Sequence, residues 1–452
     1  MHRIDPSAVC PQAFSRPLQL AALERFLGDA EIETICRQLG HAWRRRDLPP
    51  GVTARSLVFR SLHPDRSIQA VVLDLAAAGH PTELGPSASA WCQARSRLPA
   101  ELWPRLLERS VQRLRRSAGH RHLVAGRPLY VIDGSTLSMP DTPQLVQAFG
   151  YAHTRHGPSR FPVARLTVIT LAGVEAVCDY RLGPYRADEN HHFHQMWRLL
   201  PPGGICLFDR HFSSFYNLAK LHQRHIDVVT RLHQRRNPWQ LIARGRPLRK
   251  NQWLITLDLA PQLRRRYDDP TLPAALRVRL IRVVFRRGHH RRQLWLVTTL
   301  LSPRQDPAAT LVNLYRRRWG IETRLAALKT TLEMNVLRST SLRGVRHEVA
   351  ATLLAHNLVW TIIHQAAQAA ETPADRISFA NAVKAVLAFS ATLRLAPRVQ
   401  RRPLYHALLA QIVRRTNRQR PGRVEPRLLK RETARFAFLR IPRDEARRKC
   451  LT

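Results

Sequence analysis

Tyr315-Arg-Arg-Arg318-Trp-Gly-Ile-Glu322, followed seven residues later by Lys329, decides how the rest of this chain is read. On an α-helix each residue turns about 100°, so Arg318, Glu322 and Lys329 fall at about 300°, 340° and 320° from Tyr315. The four side chains therefore project within about 60° of one another, along about 21 Å of helix. Leu314, Ile321, Leu325, Leu328 and Leu332 lie at about 220° to 280° on the same wheel, an adjoining stripe suited to burial. One acid thus stands in a row of phosphate-seeking side chains beside a buried seam. That arrangement suits a metal-bound carboxylate next to nucleic acid.

The surrounding chain has the charge for such a partner. It has 452 residues, room for a large core and more than one domain. Its formal net charge is +42 and its pI near 11.7. The cations occur in every segment, which points to nucleic acid before a membrane anchor. Arginine supplies 68 of the 74 basic residues. Its planar fork matches phosphates and guanine edges. Codon bias in a GC-rich genome accounts for the preference over lysine, but not for the total charge. Six cysteines form no C-x-x-C pair and no zinc spacing, as in a reducing compartment. With no signal-peptide core and no apolar run approaching about 18 residues, the expectation is a cytoplasmic, nucleoid-associated protein without a membrane partner.

Hydrophobic periodicity divides the chain. Helical patterns at 18–39, 52–79, 87–98 and 103–114 predict a basic helical N-terminal DNA-binding domain over 1–122. From Pro128 the period shortens, and Ala172-Gly173 between two alternating runs is a hairpin signal. Strands in meander, then alternating with helices, predict a mixed α/β core over 123–345. A β-rich insertion at 233–300 interrupts that core, and helices at 308–333 and 345–370 follow. The basic, proline-punctuated region 346–452 is expected to be helical, with extended DNA-contacting segments.

Two acids complete the chemistry that Glu322 begins. Leu129-Tyr-Val-Ile-Asp133 and Gly204-Ile-Cys-Leu-Phe-Asp209 are apolar runs closed by a carboxylate, which strand ends would hold at a sheet edge. Three such acids offer hard oxygen ligands of the kind Mg²⁺ favours. Two divalent ions about 3.5–4 Å apart could drive in-line displacement at phosphorus. Alone, each Asp reads as a turn or cap residue and Glu322 as a solvated ion-pair partner.

The local context of the acids raises the triad above that bland reading. Val131-Ile-Asp133-Gly-Ser-Thr136, Leu207-Phe-Asp209-Arg210-His-Phe212 and the spacing Y-x2-R-x3-E-x6-K from Tyr315 to Lys329 resemble the DDE transposases of bacterial insertion sequences, specifically the IS-four family with its YREK signature. The resemblance spans most of the chain. It implies an RNase H-like core in which Asp133, Asp209 and Glu322 are catalytic metal ligands for two Mg²⁺ ions, with Mn²⁺ able to substitute. It further implies DNA contacts from Tyr315, Arg318, Lys329 and Arg210, and stacking of Trp295 on a base flipped from the transposon end. Trp239 and Trp253 are weaker candidates for that stacking, and a core role for Trp295 is as plausible. The implied activity is cut-and-paste transposition by a homodimer acting on double-stranded DNA, both transposon ends and target. The rivals are a catalytically silent DNA-binding derivative and a metal-dependent nuclease of the same fold. Glu189 lies near the α/β core, where the resemblance leaves room for a role, although the helix dipole alone accounts for an acid there; Asp141 reads as a turn residue. His191, His192, His194, His289 and His290 match no closed zinc site and are expected at the surface or on phosphate.

Overall fold

Asp133 stands inside a long strand. In the computed structural model the described residues are 26–44, 47–77, 87–119, 123–124, 126–154, 157–287, 290–417 and 448. Their eleven strands form one mixed sheet. In chain order these are β1 (Leu123–Val124), β2 (Arg127–Ser138), β3 (Tyr151–Thr154), β4 (Gly157–Leu171), β5 (Ala176–Pro184), β6 (Ile205–Phe208), β7 (Asp227–Arg231), β8 (Arg246–Arg249), β9 (Gln252–Asp258), β10 (Ala275–Arg287) and β11 (His290–Thr298). The spatial order is β3-β4-β2-β6-β7-β11-β10-β9-β8, with β1 beside β2 and β5 beside β4.

β2, β6 and β7 run parallel at the centre, and their neighbours are antiparallel. The β4–β5 connection turns at Ala172-Gly173, where Gly173 has φ 88°, a left-handed conformation that glycine adopts without steric cost. The insertion strands extend the central sheet, because β11 pairs with β7 through Leu296 opposite Arg231. The described residues up to Thr416 form one compact unit.

Two local expectations change. The predicted helix over 52–79 is two helices, Pro50–Leu62 and Ile68–Ala77. Pro64 lacks an amide proton and disfavours helical geometry at His63, so the first helix ends there. Asp133 does not close its strand either. β2 runs on to Ser138 because β4 pairs with it from Tyr130 through Ser138, whereas its ladder with β6 spans only Leu129 to Val131.

The helix Leu342–Ala369 crosses behind this framework, packed on the helices Leu102–Ala118 and Pro50–Leu62 and on β5. It is buried almost all round, so its polar groups need internal partners. The Nδ2 of Asn357 donates to Val177 O (2.9 Å) and Ser110 Oγ (2.9 Å), and its Oδ1 accepts from Val177 N (2.8 Å). One carboxamide thus satisfies both backbone groups of an edge-strand residue. The Trp103 indole N–H donates to His347 Nδ1 (2.6 Å). The helix Arg398–Val413 contains Pro403, and no described helix is long and apolar enough to cross a membrane.

Candidate active site

The two aspartates are brought level by strand register. β6 pairs with β2 at Leu129–Ile205, Tyr130–Cys206 and Val131–Leu207, an offset of 76 residues. Asp209 follows Asp133 by the same 76. Each therefore lies two residues past the last pair of that ladder, at the C-terminal limit of the parallel pairing. Asp133 Oδ1 accepts the Gly134 N–H (2.9 Å) and Asp209 Oδ1 accepts the His211 N–H (2.8 Å). Each carboxylate is thus held by the main chain just after it.

A third residue joins them that sequence reasoning missed. β7 pairs with β6 at an offset of 22, Ile205 opposite Asp227 through Phe208 opposite Thr230, which puts Arg231 level with Asp209. Arg231 is exposed. Its signal in the sequence was its place closing the apolar run Asp227-Val-Val-Thr-Arg231, a cue that means nothing until β6 and β7 are known to be neighbours.

Across β2, β6 and β7 lies the helix Ala308–Thr330, which carries Glu322. Both of its ends are tied to the sheet. Ahead of it, the fully buried guanidinium of Arg279 on β10 donates to the carbonyls of Ser302 (3.2 Å) and Asp306 (2.7 Å). Behind it, Ser138 of β2 donates its N–H to Asn335 O (2.9 Å) and accepts from Leu337 N (2.8 Å). Leu314, Leu325, Leu328 and Leu332 are buried along one stripe, as the helical wheel requires. The side chains of Ile321 and Glu322 lie outside the described residues.

Tyr315 and Arg318 are 5% and 8% exposed, so both sit in the seam between helix and sheet. The Arg318 guanidinium carbon lies 5.7 Å from the Tyr315 ring centre. Burial raises the Tyr315 phenol above its ordinary pKa, against the pull of Arg318 and Arg231 and with a further push from Asp209. Lys329 is half-buried in the last turn of the helix, and Arg210 is exposed in the turn after Asp209.

Trp295 is half-buried on β11, adjoining this edge, and its carbonyl accepts the Leu232 N–H (2.9 Å). The Trp239 ring meets it edge-on at 5.4 Å, and Trp253 lies at 5.9 Å. Arg282, directly opposite Trp295 in the ladder, places its guanidinium 5.1 Å from Trp239 and 5.7 Å from Trp295. Trp239 is the exposed member, at 51%.

The histidines divide. His192 is buried against Thr167 Oγ1 (3.1 Å), contrary to its expected surface position, because its helix packs on β4 and β5. His194 is hydrogen-bonded to Asn217 and His191 to Gln195. His289 and the His290 side chain lie outside the described residues. Asp141 accepts a hydrogen bond from the Tyr151 hydroxyl (2.8 Å) at the surface. Among the described residues no three His, Cys, Asp or Glu side chains converge to hold a metal ion. Asp133 and Asp209 nevertheless supply two carboxylates at the ends of the β2–β6 parallel ladder, a donor set that fits a hard divalent cation.

The profile of the transposase DDE domain matches residues 125–358. Transposase InsG of insertion sequence element IS4 from Escherichia coli K12 is 27% identical over 325 residues, 70% of each chain. The putative transposase InsZ of the same strain is 33% identical over 100 residues, 22% of this chain and 33% of that one. Among solved structures, a synaptic complex of the piggyBac transposase with hairpin DNA aligns with TM-score 0.44 at 13% identity, covering 92% of this chain and 89% of the other.

Proposed function

The chain belongs to the transposase DDE domain family and is a DNA transposase, and from that premise we propose that Asp133, Asp209 and Glu322 hold its catalytic divalent ions on an RNase H-like core. The observation that carries this reading is the shared offset of 76, which leaves both aspartates two residues past the end of the parallel β2–β6 ladder. The helix of Glu322 is pinned across those same strands.

Family members use divalent metals, and the oxygen donors here favour Mg²⁺, with Mn²⁺ able to substitute. When bound, such ions activate a water or a 3′-hydroxyl and stabilise the departing oxygen at phosphorus. The chain's own work is positioning. Main-chain N–H groups fix the two carboxylates, and Arg231, Arg210 and Lys329 bind the phosphates flanking the scissile bond. Arg318 and Tyr315 support that grip from within the seam.

The tryptophan cluster, with Trp295 at its centre and Trp239 at its surface, is the platform on which an unpaired base of the DNA end stacks. A homodimer pairs two transposon ends. It nicks one strand at each end by hydrolysis, the freed 3′-hydroxyl attacks the opposite strand to form a hairpin and release the flanking DNA, a second water hydrolyses the hairpin, and the regenerated 3′-hydroxyl attacks target DNA.

Replacing Asp133 or Asp209 with Ala is the test. End cleavage in Mg²⁺ should fall by about three orders of magnitude or more, with end binding retained. Cleavage at the wild-type rate in either variant overturns the assignment.

A further inference from the structure

We propose that Glu189 is a positioning residue of this reaction centre: clamped by Arg165, its carboxylate is a wedge that sets the strand of Asp133 against the turn that follows Asp209. The inference rests on the reading of Asp133 and Asp209 given above.

Glu189 opens the helix Glu189–Met196, where any acid gains from the helix dipole and would do so in solvent. This one is not in solvent. Its side chain is only 15% exposed, and its Oε1 is taken by the Arg165 guanidinium. Arg165 is itself locked: it sits on β4 opposite Thr136, donates from Nε to Tyr185 O (3.0 Å) and stacks over the Tyr185 ring.

The same carboxylate touches both aspartate segments. At Gly134, the residue after Asp133, a Cβ would lie 2.5 Å from Glu189 Oε1 and 2.6 Å from its Cδ, so any larger residue there displaces the Glu189 carboxylate from its place against Arg165. On the other side, Glu189 Oε2 lies 3.8 Å from His211 Nε2, and it is the His211 N–H that holds Asp209. The helix start is fixed from outside as well. Asp188 caps it through the Asn190 N–H (2.9 Å) and pairs with Arg266 of the insertion (3.0 Å). Arg165 neutralises the Glu189 charge, so shape and position are what this side chain contributes.

The test is a size-complementation series, with wild type, Asp133→Ala, Glu189→Gln, Gly134→Ala, Glu189→Asp and the Gly134→Ala/Glu189→Asp pair. It reads single-turnover end cleavage, end binding in metal-free buffer, the Mg²⁺ concentration for half-maximal rate, and Tm. Gly134→Ala should slow cleavage about 100-fold, the cost of about 1 Å of misplacement, with end binding within about twofold. Shortening the acid in the paired variant should recover at least about tenfold of that loss. Glu189→Gln, which keeps the shape, should stay within about fivefold of wild type with its Mg²⁺ requirement unchanged.

A pair no faster than Gly134→Ala alone overturns the inference. So does a Glu189→Gln enzyme as inactive as Asp133→Ala with a raised Mg²⁺ requirement, which would make Glu189 a metal ligand. Should Gly134→Ala fail to fold by Tm, Glu189→Ala takes its place, and a wild-type rate there overturns the wedge. If Asp133→Ala cleaves like wild type, the underlying reading fails. If Asp133→Ala is inactive while the Gly134 and Glu189 variants cleave normally, only this inference fails.

Discussion

Two long helices follow one another late in the chain and bury polar side chains for opposite reasons. In Leu342–Ala369, buried polar groups close on structural partners: Asn357 on β5 and Ser110, His347 on Trp103, His364 on Val174 O. In Ala308–Thr330, the buried Tyr315 phenol, with the Arg318 guanidinium beside its ring, lies within electrostatic reach of Asp209 and Arg231. The first helix spends its polar groups on holding layers together. The second aims them at the place where the chemistry is proposed. Burial alone does not separate structural from functional residues. What the buried group faces does.

The contrast can be broken most sharply at Arg318. Arg318→Ala should lower end cleavage by about 10²–10³-fold, the range for losing a preorganised charge at a reaction centre, while Tm falls by only a few degrees. A variant that unfolds but cleaves normally per folded molecule would make Arg318 a structural residue like Asn357.

Next is pH. Burial holds the His347 imidazole down at about 4, with Arg343 and Arg95 beside it pushing the same way. Its folded pKa lies below the unfolded value of about 6.5, so the unfolded chain binds the proton more readily. The neutral-His stabilisation is complete above about pH 6.5 and declines as pH falls toward 4, at about 1.4 kcal/mol per unit. Denaturant titrations at pH 7 and pH 5 should therefore differ by about 2 kcal/mol from this group, and His347→Gln should flatten that part of the profile.

Asn357→Ala should cost about 2 kcal/mol by leaving the Val177 N–H and C=O unpaired in a buried layer. End binding and cleavage by the folded fraction should not change. A thermal melt paired with a cleavage assay checks both halves. The smallest effect belongs to the insertion: Trp239→Ala should weaken end binding by about 1–2 kcal/mol without moving Tm. An equal loss on fully paired DNA and on DNA with an unpaired end base would argue against stacking.

How much of this was legible in the sequence follows the range of each interaction. The helical row from Tyr315 to Lys329 depends only on the α-helical period, and its leucine stripe is buried as that period requires. The apolar runs ending at Asp133 and Asp209 mark central strands, but their equal level depends on β2 and β6 pairing in parallel, which no local pattern encodes. Arg231 was invisible for the same reason. The extension of β2 past Asp133 comes from β4, and the fusion of the insertion to the sheet comes from the β7–β11 ladder. Gly134 and Glu189 illustrate the limit: a glycine beside a catalytic-looking Asp and an acid opening a helix each read as ordinary, and only their contact gives either a reason.

The most direct test of the proposed metal centre uses iron as its own reporter. Fe²⁺ bound in place of Mg²⁺, with ascorbate and peroxide, cuts the polypeptide beside the ion. Cuts are expected next to Asp133, Asp209 and Glu322, competed away by Mg²⁺ and lost together in Asp209→Ala. Cuts elsewhere, or a pattern indifferent to Asp209, would contradict a metal centre built on these acids.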